Sequence, residues 1–414
     1  MVEFKEDLCY CSPAHGGWGI IRLAAKIPDS YLLFVCPAAC FRHGSLGAIQ
    51  HGYKDQISYV YIQHEDIISG YDRIIEDSIE ELLTRSKKTI RLLYIYVSCL
   101  DDFIGTDLEA VLEKARKKHT DIYFQAGHMN PIAADTRIPP MISTFDAMLK
   151  PLSYPSSRDK SISVFGNFYP YPKDSDLVYV LESHGHKFRQ IGYCNTFEDY
   201  LDMSRSKYAV YVKPFVKYAI DNLSKRIGII PIYMPSSFDI DVIDKQYIQL
   251  QQILGEDLSR ELEIYRESAV AAVKRAKEAV GGIPIVVSDS ATPFPFQLAL
   301  ALHKYGFNVT DVYAEQIIAP DEPALEAVTK EIPDINIVQS DLPKMYRRAT
   351  EEKYCIAIGE EGAYLVQSSF IANVTSEDPL YGYHGVRLLM EMLEESIKEK
   401  ADIRKLIEEY GGVI

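Results

Sequence analysis

Cysteines are the residues of this sequence best equipped to do chemistry, and their placement is uneven. Five of the seven fall within the first 99 residues, in segments rich in Gly, Pro, Ser and Asp. Cys9 and Cys11 lie in CYCSPAHGGWG, Cys36 and Cys40 in LLFVCPAACFRHG, and Cys99 in IYVSCLDDFIGTDLEAV. Thiolates offered from three strand-to-loop junctions suit an iron–sulfur cluster, because cluster iron takes soft sulfur ligands and small flanking residues let the backbone approach. That chemistry is electron transfer. A disulfide framework fits poorly, since the count is odd, the chain is long and no secretory signal precedes Cys9. Zinc is the nearer competitor, yet Cys-x-Cys and Cys-x3-Cys do not repeat as paired knuckles. Cys194 and Cys355 read as small core hydrophobes.

Other polar residues gather around the same segments. His15, Trp18, Arg42 and His43 flank the cysteine loops, where Arg42 and His43 would balance an anionic cluster or relay protons. His128, in GHMNP, follows a predicted strand end, the place where open α/β sheets bind ligands, and is the leading proton donor. His184 and His186 of SHGHKF are expected at a helix C-terminus with exposed imidazoles, and His384 of YGYHG at the entry of the last domain. Three motifs are missing from the sequence. There is no G-x-x-x-x-G-K-[ST] phosphate loop, no G-x-G-x-x-G after a predicted strand and no His-Glu-x-x-His.

Positioning these residues requires parallel sheets with helical crossovers, because short β-branched or aromatic runs alternate with amphipathic stretches. ISYVYI from Ile57 and IRLLYIYV from Ile90 read as strands buried on both faces, with one helix, DIISGYDRIIEDSIEELLTRSKK, between them. A helix over Leu108 to Lys118 and the strand DIYFQ follow. DTRIPPMISTFDAMLKPLSYPSSRDK reads as an irregular connection. A second unit runs from SISVFGNF to IGIIPIYMP, and a third from the helix LSRELEIYRESAVAAVKRAKEAVGG through IPIVVSD, NVTDVYA, INIVQ and YCIAIG. The expectation is three Rossmann-like α/β domains over residues 1–155, 156–252 and 253–414.

At 414 residues, 47% hydrophobic and 25% charged, the chain is long enough for several cores. A net charge of −15 disfavours nucleic acid or an anionic membrane as partner. The apolar runs are strand-sized and MVEFKEDLCY has no signal-peptide pattern, so the expectation is a cytoplasmic protein.

The sequence resembles the nitrogenase component 1 family, which includes the catalytic subunits of dark-operative protochlorophyllide and chlorophyllide reductases, the reductase of coenzyme F430 biosynthesis and cofactor-assembly scaffolds. The segments that carry the resemblance are HEDIISGYDRIIEDSIEELL, LLYIYVSCLDDFIGTDLEAV with its Cys-x4-Ile-Gly-x-Asp signature, CPAAC, the GH of QAGHMNP, and YGYHG. It implies a first domain in which three cysteines hold half of an interface cluster, at positions that fall on Cys40, on Cys99 and on Cys11 or Cys9. Cys36 replaces the glycine of the family's turn, and either completes a four-cysteine site, making a [4Fe-4S] cluster possible within one subunit, or neighbours a larger P-cluster-like cluster. The cysteine and histidine that hold the catalytic metallocofactor in true nitrogenase fall near Val212 and Thr375, so the resemblance implies no molybdenum–iron cofactor and no dinitrogen reduction.

With no phosphate loop of its own, the chain would receive electrons from a nitrogenase-iron-protein-like ATPase. The implied assembly is a homodimer, or a heterodimer with a paralogous subunit. The implied activity is reduction of an unsaturated substrate, tetrapyrroles first among them, with a cluster-assembly scaffold as the alternative. A metal-free small-molecule binding protein is the reading from another class, disfavoured by the clustered thiols.

Overall fold

The computed structural model describes residues 23–50, 52–129, 138–340, 349 and 351–409. Within them, strands β1 (Ser30–Cys36), β2 (Ile57–Tyr61), β3 (Leu92–Ser98) and β4 (Tyr123–Met129) form a sheet in the order β2-β1-β3-β4. A second sheet has the order β6-β5-β7-β8, from β5 (Ser161–Phe165), β6 (Lys187–Gln190), β7 (Tyr208–Tyr211) and β8 (Ile230–Tyr233). The third, β11-β10-β9-β12-β13, is built from β9 (Pro284–Ser288), β10 (Asn308–Ala314), β11 (Asn336–Gln339), β12 (Ile356–Ile358) and β13 (Phe370–Ala372). All strand pairs are parallel and helices supply the crossovers, so the α/β class expected from the alternating pattern is the one found. In each sheet the chain leaves the first strand on one side and later returns on the other. This creates a topological switch point between β1 and β3, β5 and β7, and β9 and β12.

Packing groups the chain into two compact units. One falls within Gly17–Phe168 and Lys187–Tyr233 and holds the first two sheets; the other falls within Tyr169–His186 and Met234–Ile414 and holds the third. β1 shows why the first unit folds as it does. Its even residues Leu32, Phe34 and Cys36 join Tyr94 and Tyr96 in one core, while Leu33 and Val35 join Ile95 and Val97 in another. A strand apolar on both faces has to lie inside a covered sheet. Each such aliphatic side chain contributes roughly 1.5–3 kcal/mol by leaving water.

Four expectations about elements need correction. β2 is an edge strand whose Tyr59 and Tyr61 are half exposed, because a run of Tyr and Val satisfies strand propensity without requiring burial. The single helix expected after it is two, His64–Ser69 and Asp72–Arg85, parted at Gly70, whose φ of 80° no helix accommodates. The stretch read as an irregular connection contains the helix Pro140–Leu149, with Pro at its start and Phe145, Ala147, Met148 and Leu149 in the core. Arg226 closes that helix's far end by donating to the carbonyls of Leu149, Lys150 and Leu152. Finally, β13 had no counterpart in the sequence reading. Among the described residues, no helix is long and apolar enough to cross a membrane.

Candidate functional site

The segments that carry Cys36 and Cys40 and that carry Cys99 meet at the carboxyl edge of the first sheet, on either side of its switch point. Cys36 is the last residue of β1 and is fully buried, in the core cluster that contains Phe34 and Tyr96. After Pro37 the chain turns into the helix Ala38–Gln50, where the amide of Cys40 donates to the Pro37 carbonyl at 3.1 Å and the side chain stays partly exposed. Cys99 opens the short helix Cys99–Ile104 directly after β3, also partly exposed.

The signature around Cys99 resolves into local structure. Gly105 caps the short helix in the left-handed region, its amide donating to the Asp101 carbonyl at 2.8 Å. Asp107 then caps the next helix, Leu108–Lys118, by accepting from the amide of Ala110 at 3.0 Å. Asp101, itself buried, accepts a 2.5 Å hydrogen bond from the hydroxyl of buried Tyr71, which follows Gly70 in the HEDIISGYDR segment. Two sequence segments thirty residues apart are thereby braced against each other beneath Cys99. Burial, then the bond to Asp101, raises the Tyr71 phenol. Both segments stand out in the sequence but this contact does not, since an isolated Tyr and an Asp in a helix carry no signal of pairing.

The thiols act on one another electrostatically. Burial first and Cys40 second push Cys36 up to about 12, while burial and then Cys99 raise Cys40. Three neighbouring thiols, two of them reachable from solvent, are a donor set that suits an iron–sulfur cluster. Among the described residues no three His, Cys, Asp or Glu side chains stand as ligands of a single ion. A cluster spreads its sulfur ligands over several irons, so the residues present fit it better than one mononuclear metal. Cys9, Cys11, His15 and Trp18 lie outside the described residues, and so does the side chain of His43. Arg42 is exposed.

His128 stands at the carboxyl end of β4, opposite Val97 of β3. Alternation along β4 places it with Ala126 and Phe124 on the sheet face of Val35 and Val97, whereas Cys36 belongs to the other face. Its side chain is 47% exposed and its Nδ1 lies 3.7 Å from Oδ1 of Asp102 in the Cys99 helix. The preceding Gly127 has a packing role. The ring of Tyr96 lies so close that any Cβ at position 127 would overlap it.

In the other unit, the YGYHG segment forms the start of the helix Gly382–Ser396, and its glycine admits a buried carboxylate. Asp176 Oδ2 accepts from the amide of Tyr383 at 2.7 Å and the hydroxyl of Tyr247 at 2.9 Å, and a Cβ on Gly382 would strike both Asp176 and Tyr247. Burial pushes Asp176 up to about 6 against these hydrogen bonds. His384 is buried in this helix, near Arg387. The exposed imidazoles expected in SHGHKF are not found. His186 is buried, with Nε2 3.1 Å from Oε2 of Glu256, and His184 is three-quarters covered between Glu256 and Glu261. The loop that follows the helix Ile240–Leu254 supplies Glu256, a partner invisible in the local sequence.

This chain belongs to the family of nitrogenase component 1 type oxidoreductases, whose sequence profile it matches over residues 16–398. Solved structures of nitrogenase Cp1 share the fold. The one at pH 6.5 superposes with a TM-score of 0.72 at 13% identity, covering 96% of this chain and 94% of that one. The one at pH 5 gives 0.65 at 14% identity, covering 96% and 90%. Among curated proteins none matches the chain.

Proposed function

We propose that the chain is the catalytic component of a nitrogenase-like reductase other than dinitrogenase, acting on an unsaturated substrate, with tetrapyrroles the first class to test. The observation that carries this reading is the gathering of Cys36, Cys40 and Cys99 at one switch point. Cys40 and Cys99 are assigned as ligands of an iron–sulfur cluster together with Cys11 or Cys9, and Cys36 is the fourth ligand or the cluster's apolar neighbour. When bound, such a cluster supplies low-potential one-electron transfer.

The chain's own residues prepare that site. The thiols of Cys36 and Cys40 are held protonated by burial, so metal loading there releases protons and is favoured by alkaline conditions. Gly105 and Asp107 fix the ends of the helices beside Cys99, and Tyr71 with Asp101 braces them. Reducing one double bond takes two electrons and two protons. The electrons are assigned to an ATP-hydrolysing iron-protein-like partner, since the sequence has no phosphate loop. One proton is assigned to His128, whose partly exposed imidazole stands beside Asp102 within reach of solvent. Val212, where dinitrogenase has a cysteine by resemblance, is a buried aliphatic and ligates nothing.

Association of two chains through the first unit is part of the proposal. Leu46 and Ile49 of the Cys40 helix and Tyr59 and Tyr61 of β2 are exposed, Phe41 stacks on Tyr59 at 3.9 Å, and β2 is an edge strand. Exposed apolar patches of this kind mark interaction surfaces. The test is anaerobic purification with iron and acid-labile sulfide analysis, followed by turnover assays with dithionite alone and with partner plus ATP. A colourless protein without iron, after anaerobic expression with iron supplied, would sink the proposal; turnover with dithionite alone, unaffected by partner, would remove the ATPase from it.

A further inference from the structure

The third sheet has its own switch point, with different chemistry from the first. β9 ends at Ser288 and β12 at Ile358, and the chain continues there into Ser290 and into Gly359–Glu360–Glu361. Gly359 has a φ of 94°, and a side chain at that position would collide with the hydroxyls of Ser288 and Ser290, which are 2.7 Å apart. β12 therefore enters its loop in close contact with the serine pair. Its next residue, Glu360, is only 7% exposed, yet its Oε2 has no hydrogen-bond partner. On the adjacent strand, Asn373 follows β13 and its Oδ1 is likewise covered and unpartnered.

Native interiors seldom leave such oxygens unmatched, because each costs free energy when removed from water. Both lie just beyond the carboxyl ends of neighbouring strands, where open parallel sheets bind ligands. The charges acting on Glu360 are those of Glu361 and Asp378, and both are acidic. Burial above all, then these carboxylates, pushes Glu360 up to about 7, against the pull of its own amide and the Ser290 hydroxyl.

We propose that this edge binds a small molecule presenting a cationic N–H group, an ammonium or amidinium, held by Glu360 and Asn373 beside the serine pair. Once Glu360 is ionised both unmatched atoms are acceptors, which a donor satisfies, and an anion would meet Glu360, Glu361 and Asp378 together. Binding a cation favours the ionised form of Glu360, so the complex releases a proton to solvent as it forms. The site lies wholly within the unit that carries the third sheet and does not depend on the reductase reading.

The full-length protein titrated calorimetrically with benzylamine at pH 6.5, in buffers of different ionisation enthalpy, is expected to show one site that releases between about half and one proton. Benzyl alcohol, the neutral analogue, is expected not to bind. Glu360→Gln preserves shape, and is expected to weaken benzylamine about tenfold or more and to abolish proton release. A crystal soaked with 4-bromobenzylamine locates the group independently through bromine anomalous scattering. Absence of heat at millimolar benzylamine, wild-type affinity in Glu360→Gln, bromine elsewhere, or only ordered water between Glu360 and Asn373 would each overturn the assignment.

Discussion

The carboxyl edges of the first and third sheets occupy equivalent topological positions and are furnished with opposite chemistry. At the first, sulfur from Cys36, Cys40 and Cys99 gathers beside the Asp101–Tyr71 brace. At the third, oxygen prevails, in the Ser288–Ser290 pair, the unmatched Glu360 and Asn373. The difference extends to the acids of each unit. Asp159, in the unit of the first two sheets, is held well below the usual carboxylate range, chiefly by the hydrogen bond from Arg189. In the other unit burial pushes Asp176 and Asp321 up to about 6 and Glu360 up to about 7. One scaffold thus carries soft sulfur donors at one switch point and oxygen groups, Glu360 among them, at the other, because the loops after the strands, and not the strands, decide what a parallel sheet offers.

The largest expected effect concerns the sulfur edge. Cys99→Ala is expected to remove most of the iron and sulfide from anaerobically purified protein, with Cys40→Ala close behind, whereas Cys355→Ala, buried in the third sheet's core, leaves both unchanged. Iron at wild-type level in Cys99→Ala would erase the contrast between the two edges.

Acidity sharpens the comparison next. The folded-state pKa of Asp176 lies above its unfolded value, so the fold binds that proton more tightly than the open chain does. The third sheet's unit is therefore stabilised as pH falls from above 6 to about 4, by up to about 3 kcal/mol from Asp176. Asp159 has the opposite sign, its contribution being present at neutral pH and lost as pH falls below about 4. Amide exchange in Gly382–Ser396 is expected to slow between pH 7 and pH 5, after correction for intrinsic rates, and Asp176→Asn is expected to abolish that slowing. Unchanged pH dependence in the variant would show that another group is responsible.

Smaller effects follow from packing. Gly127→Ala forces a Cβ against the Tyr96 ring and is expected to cost about 1–3 kcal/mol, read from denaturant unfolding of the first unit. Tyr71→Phe leaves Asp101 without its phenol partner and is expected to fall in the same range, about 1–3 kcal/mol. His128→Ala is the smallest on this scale, within about 0.5 kcal/mol because the side chain is nearly half exposed. A large loss of stability in His128→Ala would make it a structural residue, and unchanged turnover would remove it from proton transfer.

The fold was legible because β1, β3, β7 and β9 are largely apolar runs between helical periods, and the signature from Cys99 to Asp107 spells out a cap at each turn. Burial at the sheet's edge was not legible. β2 has nearly the composition of β3, and only neighbouring strands decide which is covered. The helix Pro140–Leu149 was hidden by prolines that begin it, which local reading took for interruption. At the sites, the clustered cysteines announced themselves by type and spacing. Glu360 did not, since a Glu after a Gly gives no hint of burial, and the pairing of His186 with Glu256 spans seventy residues.

The uniformly parallel pairing of the described strands also bears on how the protein comes into being. A parallel pair cannot close through a hairpin, so each partner must wait for an intervening crossover, and such long-range contacts make folding slow. β1 acquires β3 only after about sixty residues have been laid down, and until then Cys36 and Cys40 have no counterpart at position 99. Assembly of the sulfur edge accordingly depends on long-range pairing and not on any local turn. Folding therefore covers Cys36 completely while leaving Cys40 and Cys99 partly open to solvent, so the three thiols differ in accessibility as soon as β1 is flanked by its neighbours.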